Sequence, residues 1–261
     1  MQQWFITSVV LAGFGIQVSN AQTTRVASGH VQPASAEQLF ALGNESRAQA
    51  GVERLQWDPA LAAAALKHCW QMTAGGPISH RYAGEPDLTA RAGASAAHFS
   101  LIEENIAVGL YPATIHQQWL NSPGHRDNML NRDVDHVGVA VIVSQGMLYA
   151  VADFSHSVPV LGPGQVEASI AGLMRVSGIA IRKDSHDARA ACGTDRGVPG
   201  GLIDGQPMFV MRWQDSDLSH LPPDLVTRVA SGRYRQAAVG TCPARSMEGS
   251  FTAYRVAVLL Y

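Results

Sequence analysis

The sequence predicts an α+β fold in which helices cover a sheet, followed by a second region that is mainly β. Up to residue 130, apolar residues recur with a helical period of about 3.6, and beyond it the period falls to about two. Residues 137–143 and 147–154 are apolar runs joined by Ser144-Gln145-Gly146, which is typical of a tight hairpin. Helices that precede such a hairpin indicate a sheet with helices packed on it.

Composition supports a substantial core and argues against two classes of partner. The chain has 261 residues, of which 46% are apolar. Nineteen Lys and Arg against 21 Asp and Glu give a net charge of -2, and no basic cluster is present. Binding to nucleic acid, or to a membrane surface through charge, is therefore disfavoured.

The N-terminus predicts export. Residues 4–16 form an apolar run, and Ser19-Asn20-Ala21 follows at the usual cleavage spacing, so we expect a signal peptide at 1–21 and a secreted or periplasmic protein with no transmembrane segment after cleavage. Residues 1–3 contain no Lys or Arg, unlike most signal peptides. An uncleaved anchor and a buried terminal helix remain alternatives, although the run is short for a membrane span.

Clusters of Gly, Pro and Ser indicate the boundaries within the rest of the chain. Residues 22–35 read as a linker, 36–157 as the first domain, and 160–261 as a separate, mainly β module that carries no chemical motif. No internal repeat is visible. Strands of this module are predicted at 208–213, 225–230, 233–239 and 251–261.

Two helix starts carry recognisable capping signals. Ser35 and Gln38 form a capping-box pattern that predicts the first helix, ending near Gly51. Asp58 before Pro59 predicts the second helix. His68 lies beside the apolar face of this second helix, and we interpret it as a partly buried structural histidine rather than a ligand.

The three cysteines differ in their surroundings. Cys192 and Cys242 occur late in the chain near Gly and Pro, and we predict a disulfide between them, which would stabilise the region by about 4 kcal/mol. Cys69 lies within a helical pattern and is interpreted as a small buried apolar residue.

Two histidines follow Gly- and Pro-containing segments that interrupt the helical pattern. Pro123-Gly124 ends a helical segment, so His125 is expected to emerge from a sharp turn and to face a cleft. His80 follows a similar break at residues 75–77. Glu104, with Glu103 before it, adds an unusual density of carboxylate beside an apolar run. A surface loop with an incidental histidine, and locally paired or solvated carboxylates, are the alternatives.

Several motifs between residues 39 and 154 occur in an order that resembles one known family. Their members are Asn44, Arg47 and Gly51, then Leu55-x-Trp57-Asp58-x-x-Leu61, Arg91-x-Gly93, Glu104-Asn105-Ile106-Ala107-x-Gly109, Trp119-x-x-Ser122-Pro123-Gly124-His125-Arg126-x-Asn128-Met129-Leu130, Val137-Gly138-Val139 and the strand ending at Phe154. The segment resembles the CAP superfamily of cysteine-rich secretory, antigen 5 and pathogenesis-related 1 proteins, in its bacterial SCP-like form.

This resemblance implies a three-layer α-β-α sandwich with a central cleft lined by two histidines and two acids, where some members bind zinc or another divalent cation. The matching residues are His80, Glu104 and His125, whereas the second acidic position falls on Ser122. His80 and His125 are thus the expected metal ligands. Two imidazoles and one carboxylate suit an open zinc site, but also a metal-free polar cleft.

The sequence favours binding over catalysis. It contains no Gly-x-Ser-x-Gly elbow and no cysteine near a matching histidine, and Ser122 is more simply a turn residue than a nucleophile. We expect an exported, non-enzymatic binder of a small-molecule, lipid, glycan, peptide-like or cell-envelope ligand. A metal-dependent or Ser-based hydrolase using His80, Glu104 and His125, and a purely structural envelope protein, are the alternatives.

Overall fold

The computed structural model describes residues 29–74, 76–198, 200–203, 205–245 and 251–261. The predicted signal peptide at 1–21 lies outside these residues. Among the helices that are described, none combines the length and apolarity needed to cross a membrane.

The first half of the chain forms a five-stranded sheet with helices on both faces. In chain order its elements are β1 (His30–Val31), α1 (Pro33–Gln49), β2 (Gln56–Trp57), α2 (Pro59–Ala74), α3 (Leu88–Gly93), β3 (Phe99–Gly109), α4 (Pro112–Asn121), α5 (Pro123–Leu130), β4 (His136–Ser144) and β5 (Met147–Ser157). The strand order is β1-β4-β5-β3, and β2 runs parallel to β4 at its edge. The predicted hairpin is β4 and β5.

Alternation along β4 separates two cores. Val139 and Val141 pack with α1, α4 and α5 on one face of the sheet. Ala140 and Ile142 pack with α2 on the other face. Because successive side chains of a strand point to opposite faces, a strand that is apolar throughout needs cover on both sides. This confirms the three-layer α-β-α arrangement.

The start of the first helix differs from the prediction. α1 begins at Pro33 with Gln32 as its N-cap, and no side chain caps it, so Ser35 lies within the first turn instead of preceding the helix. Proline at the first helical position has its φ preset and needs no N–H partner, which favours the earlier start. β1 pairs with β4, so the end of the predicted linker 22–35 belongs to the sheet and to α1.

The second half contains its own four-stranded sheet, which confirms a sheet-rich C-terminal region. Its elements are α6 (Pro163–Val176), β6 (Ala180–Ile181), α7 (His186–Gly193), β7 (Phe209–Asp215), α8 (Pro223–Ala230), β8 (Gln236–Cys242) and β9 (Tyr254–Leu260). The prediction of a strand at 225–230 is wrong, since this segment lies in α8. Leu225 and Val229 are buried one helical turn apart while Val226 is exposed, a helical pattern and not a period of two.

The predicted disulfide between Cys192 and Cys242 is confirmed, with Cα atoms 5.7 Å apart. It joins α7 to the end of β8, so both cysteines lie in regular elements and not in the expected loops. Cys69 is a buried free thiol, as expected.

Candidate functional site

Glu104 lies in the middle of β3, on the face of the sheet that packs against α2. It pairs across the sheet with Asp153 of β5, which in turn pairs with Gly138 of β4. A Cβ at Gly138 would lie 1.9 Å from the backbone nitrogen of Ala62. Only glycine therefore allows α2 to approach this row of residues so closely.

His80 is fixed to Glu104 by a hydrogen bond. Its Nδ1 lies 2.8 Å from Oε1 of Glu104, and the His80 side chain is 57% exposed whereas that of Glu104 is 3% exposed. The bond uses Nδ1, so the Nε2 edge of the ring remains available to a ligand. His80 lies in the segment between α2 and α3.

Arg91 of α3 holds Glu104 from the other side. Its Nη2 donates to Oε2 of Glu104 in a buried ion pair. Its Nη1 lies 3.7 Å from Oε1 of Glu85 and donates to the backbone oxygen of His80 at 3.3 Å. Both carboxylate oxygens of Glu104 are therefore already bound, and Arg91 also positions the His80 segment.

His68 extends this polar network below the surface. It is fully buried, deeper than predicted, with Nδ1 2.7 Å from Oε1 of Glu85 and Nε2 3.0 Å from the backbone oxygen of Ser79. A carbonyl oxygen only accepts, so Nε2 carries a proton and Nδ1 faces the carboxyl group of Glu85. These bonds fit the structural role predicted for His68.

Asp153 is a site residue that the sequence reasoning missed. It is fully buried, and burial, followed by the nearby charge of Glu104, raises its pKa well above the ordinary value, while Arg91 opposes the shift. A signal was present in the sequence, because Asp153 is an acid within the apolar strand 147–154. An acid at such a position indicates a polar contact inside the core.

His125 lies near His80 but is presented differently from the prediction. α4 ends at Asn121 and α5 begins at Pro123, so His125 lies in the first turn of a helix and not beyond a loop. Its ring centroid is 6.2 Å from that of His80. Burial and then the neighbouring His80 lower the pKa of His125, which favours the neutral imidazole.

Two asparagines lock α5 onto β3. Asn105 donates through Nδ2 to the backbone oxygen of His125 at 2.8 Å, and Asn128 donates to Oδ1 of Asn105 at 3.0 Å and to the backbone oxygen of Glu104 at 3.2 Å. The position of His125 is thus set by hydrogen bonds to the strand that carries Glu104.

Ser122 and Glu103 are not part of the hydrogen-bonded cluster described above. Ser122 is the single residue between α4 and α5, and its hydroxyl does not cap α5. Glu103 accepts a bond from Nδ2 of Asn131 at 3.0 Å, on the opposite face of β3 from Glu104, and burial raises its pKa. The contacts therefore link His80 with Glu104 and bring His125 close, but give Ser122 no corresponding role.

The described residues do not fit a metal site with three protein ligands. No group of three or more His, Cys, Asp and Glu side chains among them could hold a metal ion. Glu104 is engaged by His80 and Arg91, which leaves the two imidazoles of His80 and His125. Catalytic zinc ordinarily takes three protein ligands and a water molecule.

Comparison with known proteins identifies related sequences for the first half of the chain. Residues 40–154 match the model of the cysteine-rich secretory protein family, CAP. The uncharacterized membrane protein YlbC of Bacillus subtilis (strain 168) is 34% identical over 113 residues, which are 42% of this chain and 32% of that protein. The uncharacterized protein YkwD of the same strain is 30% identical over 112 residues, 41% of this chain and 42% of that protein. The chain thus matches less than half the length of either curated relative.

Two solved structures are also similar. An extracellular protein containing an SCP domain from Bacillus anthracis is 29% identical with a TM-score of 0.45, covering 48% of this chain and 41% of that one. An outer surface protein from Borrelia burgdorferi is 22% identical with a TM-score of 0.46, covering 50% of this chain and 99% of that one.

Proposed function

Because residues 40–154 belong to the cysteine-rich secretory protein family, we propose that this protein is an exported binder that holds a ligand at the cleft formed by His80, Glu104 and His125. The proposal rests on the observation that both carboxylate oxygens of Glu104 are already bonded within the protein. One of its oxygens bonds to His80 and the other pairs with Arg91, so the carboxylate orients an imidazole instead of serving as a free base.

The groups offered to a ligand are two imidazole edges. His80 is more than half exposed but offers only Nε2, because its Nδ1 is bonded to Glu104. The lowered pKa of His125 favours its neutral ring, in which one nitrogen can donate and the other can accept a hydrogen bond. Such a pair suits a neutral polar group, such as a hydroxyl or an amide, better than an anion. A glycan, a peptide-like ligand or the polar end of a lipid provides such groups.

Nucleophilic catalysis has little support at this cleft. In the hydrogen bonds of the described residues, no hydroxyl or thiol bonds to the ring of His80 or His125, including that of Ser122. The Cys69 thiol donates to the backbone oxygen of Ala140 at 3.3 Å, and burial raises its pKa well above the ordinary value. An activated nucleophile requires an adjacent base or a lowered pKa, and Cys69 has the opposite.

Export rests on the N-terminal sequence and on the nature of the similar structures. Two of these are an extracellular protein and an outer surface protein. A ligand from the cell envelope or its surroundings is consistent with that location.

A second candidate function is weak binding of a divalent cation between His80 and His125. The bond from His80 Nδ1 to a carboxylate is the arrangement that commonly orients a metal-binding histidine, which favours this candidate. Titration of chelator-treated protein with zinc, followed by calorimetry, tests it. Heat that disappears in the His80→Ala/His125→Ala variant would support a cation, and equal heat in both proteins would remove it.

The binding proposal is tested with arrays of lipids, glycans and peptides probed with the full-length protein. His80→Ala/His125→Ala is the site variant, and His220→Ala is the matched control because its side chain is 79% exposed and lies in the second half of the chain. We expect a ligand that binds the wild type and the control but not the site variant. Equal binding by all three proteins would place the function elsewhere.

A further inference from the structure

The second sheet repeats the layout of the first. β6 lies parallel beside β8, β8 and β9 form an antiparallel hairpin, and β7 pairs antiparallel with β9. In the first sheet, β2 lies parallel beside β4, β4 and β5 form the hairpin, and β3 pairs antiparallel with β5. The order of these strands along the chain is also the same.

The helices repeat as well. α6 and α8 cover one face of the second sheet and α7 covers the other. In the first sheet, α1 and α4 share one face and α2 takes the other. Each short edge strand follows the first helix of its half, and each hairpin ends it.

A glycine marks the same point in both halves. A Cβ at Gly240 of β8 would lie 2.2 Å from the backbone nitrogen of Arg189 in α7, just as one at Gly138 would meet Ala62 in α2. Residues 163–260 therefore form a shorter second copy of the first fold. The sequence shows no repeat because this copy retains strand order and one close helix contact, which constrain few side chains.

The shared glycine aligns the two sites. In the first sheet, Gly138, Asp153 and Glu104 lie in one row across three strands. In the second sheet, the row from Gly240 continues through Ala257 to Arg212. The position of the central carboxylate is thus taken by a guanidinium, and the buried acid beside it is replaced by a methyl group.

Arg212 has a second guanidinium next to it. Arg212 of β7 donates through Nη2 to Oγ1 of Thr194 at 3.0 Å, and Arg255 of β9 donates through Nη2 to the backbone oxygen of the same threonine at 3.1 Å. Arg212 also donates to the backbone oxygens of Ala191 and Gly197, both at 2.6 Å. These bonds fix both side chains on the α7 side of the sheet.

Positive charge exceeds negative charge at this place. Asp195 pairs with both Arg255 and Arg245. With Arg212, three guanidinium groups therefore lie near a single carboxylate. The hydrogen bonds of the described residues leave Nη1 of Arg212 and both Nε and Nη1 of Arg255 unused. Burial and then the charge of Arg255 lower the pKa of Arg212, so an anion between them would relieve a repulsion.

We propose that the second copy binds a small oxyanion, a phosphate or a carboxylate group, between Arg212 and Arg255. Guanidinium groups present paired N–H donors that match two oxygens of such an anion. The charge of the site is thereby reversed relative to the first copy, so one chain would carry two sites of different ligand preference on one repeated fold. This site is independent of the ligand at His80 and His125.

The test is a titration of the full-length protein with inorganic phosphate and, separately, with acetate, followed by NMR of the arginine Nε–Hε signals and of the Thr194 amide. We expect saturable shifts of the Arg212 and Thr194 signals. The anion that binds with the higher affinity, phosphate or acetate, shows which of the two groups the site prefers. Sodium chloride at equal ionic strength controls for screening. Shifts that match those with chloride would overturn the proposal.

Arg255→Lys and Arg233→Lys test the residues. Lysine keeps the charge but loses the paired donors, so we expect Arg255→Lys to weaken binding by about tenfold. The exposed Arg233 in the same half is the matched control and should change affinity by less than about twofold. Equal affinity of both variants for the anion would contradict the site. If Arg255→Lys fails to fold, the wild-type titration against chloride decides the proposal alone.

Discussion

Replacing Asp153 by Asn should remove a cost of folding that grows with pH. Asp153 is fully buried beside Glu104, and its pKa is raised well above the ordinary value by burial and then by that neighbouring charge. The folded protein therefore keeps a proton that the unfolded chain releases, so the free energy of unfolding falls as pH rises above the unfolded pKa. The loss is about 1.4 kcal/mol for each pH unit until the folded pKa is reached.

Asn has nearly the shape of protonated Asp but does not titrate. Relative to the wild type, Asp153→Asn should therefore gain about 1.4 kcal/mol per pH unit above about pH 4, and the gain should level off at the folded pKa of Asp153. Urea unfolding from about pH 4 to about pH 8 measures the difference.

Asp87→Asn is a control of opposite sign. Hydrogen bonds from Ala90 and then Thr89 lower the pKa of Asp87, so its stabilising effect is present above the unfolded pKa and is lost as pH falls through the folded pKa. A parallel pH dependence of wild type and Asp153→Asn would refute the assignment of a buried, protonated Asp153.

Two further tests concern the ion pair of Arg91 with Glu104 and the disulfide between Cys192 and Cys242. Arg91→Met should lower the free energy of unfolding by about 3–5 kcal/mol because it leaves Glu104 buried without its cation, whereas Arg189→Met, which breaks a partly exposed pair, should cost about 0–1 kcal/mol. Equal losses in urea unfolding would contradict the central place of Arg91. Replacing Cys192 and Cys242 by Ser should cost about 4 kcal/mol for a loop of this length, and an unchanged melting temperature would contradict a structural disulfide.

The elements with strong local signals were predictable. Asp58 caps α2 through bonds from the backbone nitrogens of Ala60 and Leu61 at 2.7 and 3.2 Å, as its sequence position indicates. The hairpin of β4 and β5 follows from its period and from the Gln145-Gly146 turn, where both residues have positive φ.

What could not be predicted depends on contacts between distant segments. His68, Arg91 and Asp153 come close to Glu104 only after α2, α3 and β5 have packed, and no spacing in the sequence indicates that they do. The segment 225–230 has the β-branched residues of a strand, but burial of Leu225 and Val229 in the core selects the helix. The second copy of the fold could not be predicted because the shared order of strands and helices, and one glycine at a close helix contact, constrain few side chains.

Binding and stability measured together on His125→Ala distinguish a role of His125 in holding a ligand from a role in holding the fold. The ligand recovered from the arrays is titrated into the wild type, His125→Ala and the control His220→Ala, and the melting temperature of each protein is recorded. We expect His125→Ala to bind at least about tenfold more weakly and to melt within about 2 °C of the wild type, since the His125 ring is partly exposed. Unchanged binding with a large fall in melting temperature would contradict it and make His125 a structural residue.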